Sequence, residues 1–331
     1  MKILIVSYIE GTGNYPVYIK DELEKLGNIV HILPTDFNNE SKHFQTLYRK
    51  GKHLGRMGRL ILKRQIHSHI NSHSPDLLLI YGSNSFIYPP VLRLIKQRGL
   101  KVVLFEGNLR FGQLFQVEAI PLYDLIIATD SYIIPFLRQI MGHKNSVYLT
   151  GFGVPSVFRQ VEIAEDISQR YGADVSFIGR YFPNRDDFMR KLERQVTIWG
   201  TDWEQSLLEH KDGIKYLDPS EKPLVYCSSK INLHLRPGNN QINSFSTRIW
   251  EVPLCGGFIL SEWSKDLVEL FVEDKEIVVF RSPGEADTKI SYYLQREEER
   301  MRITDRLREK IMGNYLLEHT VGRLNELLLR L

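Results

Sequence analysis

The sequence predicts an α/β protein made of two doubly wound domains. Three observations predict it. Apolar runs of strand length recur along the chain, and they are continuous rather than alternating, as parallel strands covered on both faces require. Segments of helical character separate these runs, which gives successive βαβ units. The alternation breaks at 150–165, where Gly151, Gly153 and Pro155 read as a linker, and then restarts. A length of 331 residues suits two domains of about 150 residues each. The expected division is 1–152 and 153–331.

In the first half the predicted strands are 3–6, 29–33, 77–81, 102–105, 125–128 and 147–149. The segment 17–26 between the first two reads as a helix with Lys and Glu outward and Gly27 as its stop. Gly11-Thr-Gly13 follows the first strand but lacks the third glycine of a dinucleotide fingerprint. A tight turn is one reading, and a close backbone approach to a diphosphate is the other. Glu106 ends the fourth strand, where a carboxylate is either a general base, an acceptor for a sugar hydroxyl, or a plain loop charge. From Ser41 to Pro75 there is no acidic residue, while Lys42, Arg49, Lys50, Lys52, Arg56, Arg59, Lys63 and Arg64 are basic. With Leu54, Met57, Leu60 and Ile61 between them, this basic amphipathic stretch is either a solvated face or a contact for anionic lipid or a phosphorylated acceptor.

In the second half the predicted strands are 175–178, 196–199, 231–235, 258–260 and 277–280. The stretch 285–331 is dense in Glu, Arg and Leu at helical spacing and reads as a helical tail, expected to pack back on the first domain. Open α/β sheets bind ligands at the carboxyl ends of their strands, and two such sheets would hold one in the cleft between them. The residues just past each strand are therefore the candidates. Arg180 and Arg185 follow the strand 175–178 and can neutralise a leaving diphosphate or simply pair with Asp186 and Asp187. Trp199 and Gly200 end the next strand. Ser244-Phe245-Ser246-Thr247 precedes a short helix whose first amides suit phosphate, and Arg248 adds charge there. Glu251 lies one turn past Thr247 on the same face, so it reads either as a ribose ligand or as a solvated helix residue. Lys230 adds charge at one end or the other of its strand.

Composition narrows the class. Apolar residues make up 43% and charged residues 25%, the values of a soluble globular protein. A net charge of +3 is too small to argue for nucleic acid, which is not expected as a partner. The opening MKILIVSYIE has too few apolar residues for a signal peptide or membrane span. Two cysteines cannot build a metal cluster or a disulfide framework, and the expected location is the reducing cytoplasm. His67, His69 and His73 cluster without an acid beside them, so no metal site is expected. No GxxxxGK[ST] run is present, which argues against a P-loop kinase or ATPase.

The motifs DVSFIGRYFPNR, YCSSKINLHL, SFSTRIWEVPLCGGFILSE, LFVEDKEIVVF and EHTVGRLNELL occur in that order over residues 174–328. In these the chain resembles the CgeB-like (spore-maturation protein) glycosyltransferases, which have the GT-B architecture of two Rossmann-like domains facing across a cleft. The resemblance implies a nucleotide-sugar donor bound mainly by the second domain, an acceptor bound mainly by the first, and no essential metal or other cofactor. More distantly the region is similar to the family-four retaining glycosyltransferases, whose motif carries two glutamates with seven residues between them. Glu251 matches the second, which there holds the donor ribose, while Asn243 stands where the first would be. Arg180 matches the arginine of their strand-end GR, and Arg185 lies close to their lysine. Pro253 removes a helix N–H, and the resemblance implies a short or kinked helix there.

The resulting expectation is a metal-independent, retaining glycosyltransferase. Arg180 and Arg248 stabilise the leaving diphosphate with amides around Ser246 and Thr247, Glu251 fixes the ribose, and the base lies near Tyr181, Trp199 and Gly200. A saccharide, a lipid-linked group or a protein is the acceptor, with peripheral contact to anionic membrane through 41–75. Two alternatives stay open: a sugar-nucleotide epimerase of the same architecture, and a non-catalytic nucleotide-sugar-binding protein, for which Asn243 speaks.

Overall fold

Continuous apolar runs can be satisfied only between two helical layers, and that is how they are used. The structure is a computed structural model that describes residues 1–7, 14–34, 57–82, 89–106, 114–209, 214–238 and 241–331. All eleven predicted strands form, none displaced by more than about two residues at either end. They fall into two units, Met1–Thr150 with Thr320–Leu331, and Gly151–His319.

The first unit carries β1 (Lys2–Ser7), β2 (Ile29–Pro34), β3 (Leu77–Tyr81), β4 (Lys101–Glu106), β5 (Leu125–Ala128) and β6 (Ser146–Tyr148), in the order β2-β1-β3-β4-β5-β6. Every pair is parallel. Crossovers through the helices Tyr15–Lys25, Met57–His73 and Pro89–Lys96 cover the faces, so Ile3, Leu4, Ile5 and Val6 are all buried although consecutive. That is why the run does not alternate. The last residues of the chain return to this unit. Thr320 donates through Oγ1 to the Thr150 carbonyl (3.2 Å), and Asn28 donates through Nδ2 to Asn325 Oδ1 (2.9 Å).

The second unit carries β7 (Ala173–Ile178), β8 (Thr197–Trp199), β9 (Ser229–His234), β10 (Ile259–Glu262) and β11 (Val278–Phe280), in the order β11-β10-β9-β7-β8. All pairs are again parallel. Chain order reverses between β7 and β9, the switch point where open sheets leave a crevice. Val175, Phe177, Ile231, Leu233, Leu260, Val278 and Phe280 form the core with Ile290 and Ile303 from the helices Pro283–Leu294 and Glu297–Asn314. The helix Arg248–Leu254 is short and contains Pro253. After it, Gly257 passes so close to Tyr226 that a Cβ would sit 2.6 Å from the Tyr226 carbonyl oxygen, which explains the Gly-Gly step before β10. Among the described residues no helix is long and apolar enough to cross a membrane.

Candidate functional site

The polar groups of the second unit gather past the carboxyl ends of β7, β9 and β10. At their centre is His234, the last residue of β9, fully buried at 0% exposure. The hydroxyl of Ser261 on β10 donates to the Glu262 carbonyl (2.9 Å), so toward the ring it accepts, from His234 Nδ1–H (2.8 Å). Nε2 is then the bare nitrogen and accepts from Ser246 Oγ (2.9 Å), with the Ser246 backbone N–H farther away (3.4 Å). Ser246 Oγ in turn accepts from the Arg248 guanidinium (3.1 Å). Burial, then Arg248, Arg185 and Arg236, holds the imidazole pKa well below its ordinary value, which keeps the ring neutral and the chain of donors and acceptors consistent.

Three guanidiniums surround this chain. Arg185 is 3% exposed and straddles the switch point, donating to the Arg180 carbonyl past β7 (2.8 Å) and the Leu235 carbonyl past β9 (2.8 Å). It lies against the rings of Phe177 and Phe182. Burial first, then the neighbouring Arg248, pushes its pKa down to about 9, against a smaller opposing pull from Glu262. Arg236 pairs with Glu262 through its side chain (2.9 Å) and its backbone N–H (2.8 Å). Arg185, Arg236 and Arg248 each keep a buried Nε with no partner among the described residues. Among the described residues Glu262 is the one carboxylate ion-paired within this group, leaving positive charge in excess.

Arg180 stands apart. Its side chain is 67% exposed, and its Nε pairs with Asp202 past β8 (2.5 Å). The expected partners of Arg185, Asp186 and Asp187, are instead engaged elsewhere. Asp186 accepts from Ser206 Oγ (2.5 Å), and Asp187 pairs with Lys191 (2.6 Å).

Two expectations are corrected. Glu251 is not a solvated helix residue, being 1% exposed. Its Oε1 accepts from Thr247 Oγ1 (2.7 Å), its Oε2 from Tyr226 OH (2.8 Å), and Lys222 Nζ lies 3.5 Å away. Burial opposes its ionisation, but Lys222, Arg248 and these two hydrogen bonds outweigh burial and set its pKa below the ordinary value. The carboxylate therefore ties the helix Lys222–Ser228 to the start of the helix Arg248–Leu254. Lys230 is the second correction. It opens β9 rather than ending it and pairs with Asp174 at the start of β7 (2.7 Å), at the opposite end of the sheet from His234.

The remaining candidates divide. Trp199 is buried beneath the Lys215 ammonium and beside Tyr171, and it packs rather than presenting a free face. Gly200 serves close approach, since a Cβ there would stand 2.0 Å from the Gly179 carbonyl oxygen. Asn243 accepts through its backbone carbonyl from the Asp266 N–H (3.0 Å). Glu106, buried at the end of β4, belongs to the first unit. Gly11 and Gly13 lie outside the described residues, as do 41–56 of the basic stretch; Lys63 and Arg64 are exposed on the helix Met57–His73. Sequence reasoning missed His234, while Arg236, Ser261 and Glu262 lie in the stretches just past the strands that it marks as candidates without giving them a role. A signal existed, because His234 and Arg236 bracket the end of an apolar run on which only one more leucine follows.

Residues 185–326 match the glycosyl transferase-like family, just under half the chain. No curated protein matches the sequence significantly. The fold is similar to sucrose-phosphate synthase from Thermosynechococcus elongatus (TM-score 0.71, 11% identity, 100% of this chain and 99% of that one). It is similar to a glycosyltransferase from Rickettsia africae (TM-score 0.68, 11% identity, 98% and 97% covered). It is also similar to the Anabaena protein HepE in complex with UDP-glucose (TM-score 0.69, 14% identity, 100% of both chains). The chain therefore has the two-sheet GT-B fold of glycosyltransferases, and residues 185–326, most of them in its second unit, are similar to a glycosyl transferase-like family.

Proposed function

We propose that the protein is a glycosyltransferase that moves a sugar from a nucleoside diphosphate to an acceptor, within the glycosyltransferases nearest to the CgeB-like group. One observation carries the reading: three guanidiniums with unpaired buried Nε atoms converge past the strand ends of the unit whose sequence matches the family. Such a concentration of guanidinium charge suits an anion with several oxygens, as a diphosphate has. Arg248 and Arg236 hold the diphosphate, Arg185 supplies charge from beneath, and the exposed Arg180 leaves Asp202 to complete the neutralisation. As the bond from the anomeric carbon to the diphosphate oxygen lengthens, negative charge grows on that oxygen, and these fixed cations favour the charged state over the ground state. Glu106 in the first unit is the proposed base toward the acceptor hydroxyl. HepE is bound to UDP-glucose in its structure, which makes uridine donors the first to try. Independence of metal, retention of configuration and a saccharide, lipid-linked or protein acceptor belong to this proposal through the resemblance.

The test is calorimetric titration with UDP-, GDP- and dTDP-sugars in the presence of a chelator, followed by NMR of the donor with and without candidate acceptors. Binding of one nucleotide class and donor loss that depends on acceptor support the reading. Donor isomerised without acceptor would make the protein an epimerase, and binding without any turnover would make it a sensor or carrier. No binding at all would refute the diphosphate site.

A further inference from the structure

A strand end that is fully buried is ordinarily closed by an apolar side chain, because an unpaired polar group there costs free energy. Here β9 ends in a histidine whose two nitrogens are both used, in opposite senses. Nδ1–H points at Ser261 on the neighbouring strand (2.8 Å), and bare Nε2 points at Ser246 on the loop before the helix Arg248–Leu254 (2.9 Å). Only a group that donates on one side and accepts on the other can bridge these two serines. The serine on the outer side does the same in turn, giving its proton to the ring and accepting from the Arg248 guanidinium (3.1 Å). The order of donors runs in one direction, from the arginine through the serine to the ring and on to Ser261 and the Glu262 carbonyl.

We infer that His234 is a positioning residue: it fixes Ser246, and through Ser246 it sets the side chain of Arg248 so that the remaining N–H groups of that guanidinium face the diphosphate. This deepens the donor reading above and rests on it. The ring does not touch the ligand. It replaces the mobile hydration a loop serine would otherwise have by one fixed acceptor, so Arg248 meets the anion without first being ordered, which is the advantage of a pre-organised donor. The neutral form matters because only the bare Nε2 can accept from Ser246. Arg185 following β7, Arg236 following β9 and Arg248 beyond the loop all oppose a second proton, while β10 brings Ser261 to Nδ1 and carries Glu262, which is paired with Arg236.

The experiment uses the full chain, with UDP and inorganic pyrophosphate as probes in calorimetry and thermal unfolding beside each titration. His234→Gln keeps an amide oxygen close to the place of Nε2. His234→Asn keeps a polar group only near Nδ1, and His234→Phe keeps neither. Expected are UDP and pyrophosphate affinities within about threefold of wild type for the Gln variant and about tenfold or more weaker for Asn and Phe, with unfolding temperatures lowered in all three. A merely structural histidine would instead give affinity losses that follow the unfolding temperatures, with no rescue by Gln, and that result overturns the inference. Ser246→Ala reads the same link from the partly exposed side should the Asn or Phe variant not fold. It is expected to weaken both probes to a similar degree, and wild-type affinity in Ser246→Ala overturns the inference. In the Ser246→Ala background His234→Gln should add nothing, as residues acting in series do. If the wild-type protein itself binds neither probe, the donor reading fails and the inference falls with it.

Discussion

Removing the Glu251 carboxylate separates two roles that the same residue could play. In Glu251→Ala the hydroxyl of Tyr226, buried at 1% exposure, and that of Thr247 both lose their acceptor, and Lys222 loses the charge 3.5 Å from its ammonium. Each hydrogen bond to an ionised group contributes about 1.5–3 kcal/mol, and stripping one partner from a buried charged cluster costs about 3–5 kcal/mol. The three contacts share one carboxylate, so the sum is not additive, and a loss of about 3–5 kcal/mol in unfolding free energy is expected. Glu251→Gln keeps the shape and one good acceptor, and about 1.5–3 kcal/mol is expected there. Urea unfolding followed by fluorescence reads this well, because the adjacent Trp250 is buried and stacked on Tyr315. UDP affinity of the folded fraction is measured in parallel. A folded Glu251→Ala protein within about 1 kcal/mol of wild type, yet tenfold or more weaker for UDP, would refute the account of a tie between helices and favour the ribose role that the motif implies.

Three further outcomes are expected. Arg248→Ala should weaken UDP by tenfold or more and lower kcat, whereas Arg180→Ala, exposed and already paired with Asp202, should lower kcat with a smaller effect on affinity; steady-state kinetics with UDP competition checks both. Gly200→Ala forces a Cβ against the rigid Gly179 carbonyl and should cost about 1–3 kcal/mol, while Gly284→Ala, with open space at its Cβ, should stay within about 0.5 kcal/mol; thermal unfolding of the two variants decides. The native pKa of His234 lies well below the unfolded value near 6.5, so the unfolded chain takes up the proton first as pH falls. The stability held by the neutral ring is complete above about pH 6.5 and is lost progressively below it, and the urea midpoint should fall less steeply between about pH 6.5 and 5 in His234→Gln.

The strands were legible because burial on both faces leaves no polar phase in the run, as 77–81 and 125–128 illustrate, and the position of the site past the strand ends followed from the parallel order. What was hidden is pairing across sequence. Helical spacing put Glu251 below Thr247, and that hydrogen bond formed. Nothing local could disclose that Tyr226 and Lys222 would close over the same carboxylate from another helix. Lys230 could not be placed for a different reason: a cation beside an apolar run belongs to either end of the sheet until the first residue of the strand is fixed. His234 escaped because a histidine after an apolar run carries no periodic signal, and its meaning depends on Ser246 and Ser261 brought to its two nitrogens by separate segments.

The return of Thr320–Leu331 to the first unit has a consequence for biosynthesis. The ribosome makes residues 1–150 first, and the side chains that meet Thr150 and Asn28 only after the whole of 151–319. At about 5–20 residues per second, roughly 10–30 s separate the two. Throughout that interval the amide of Asn28 lacks its partner at Asn325, and the face that the final helix covers is open to solvent. The second unit can complete its sheet while the first is still waiting. The earlier-made half is therefore the later one to be finished, and it is the half that chaperones would be expected to hold.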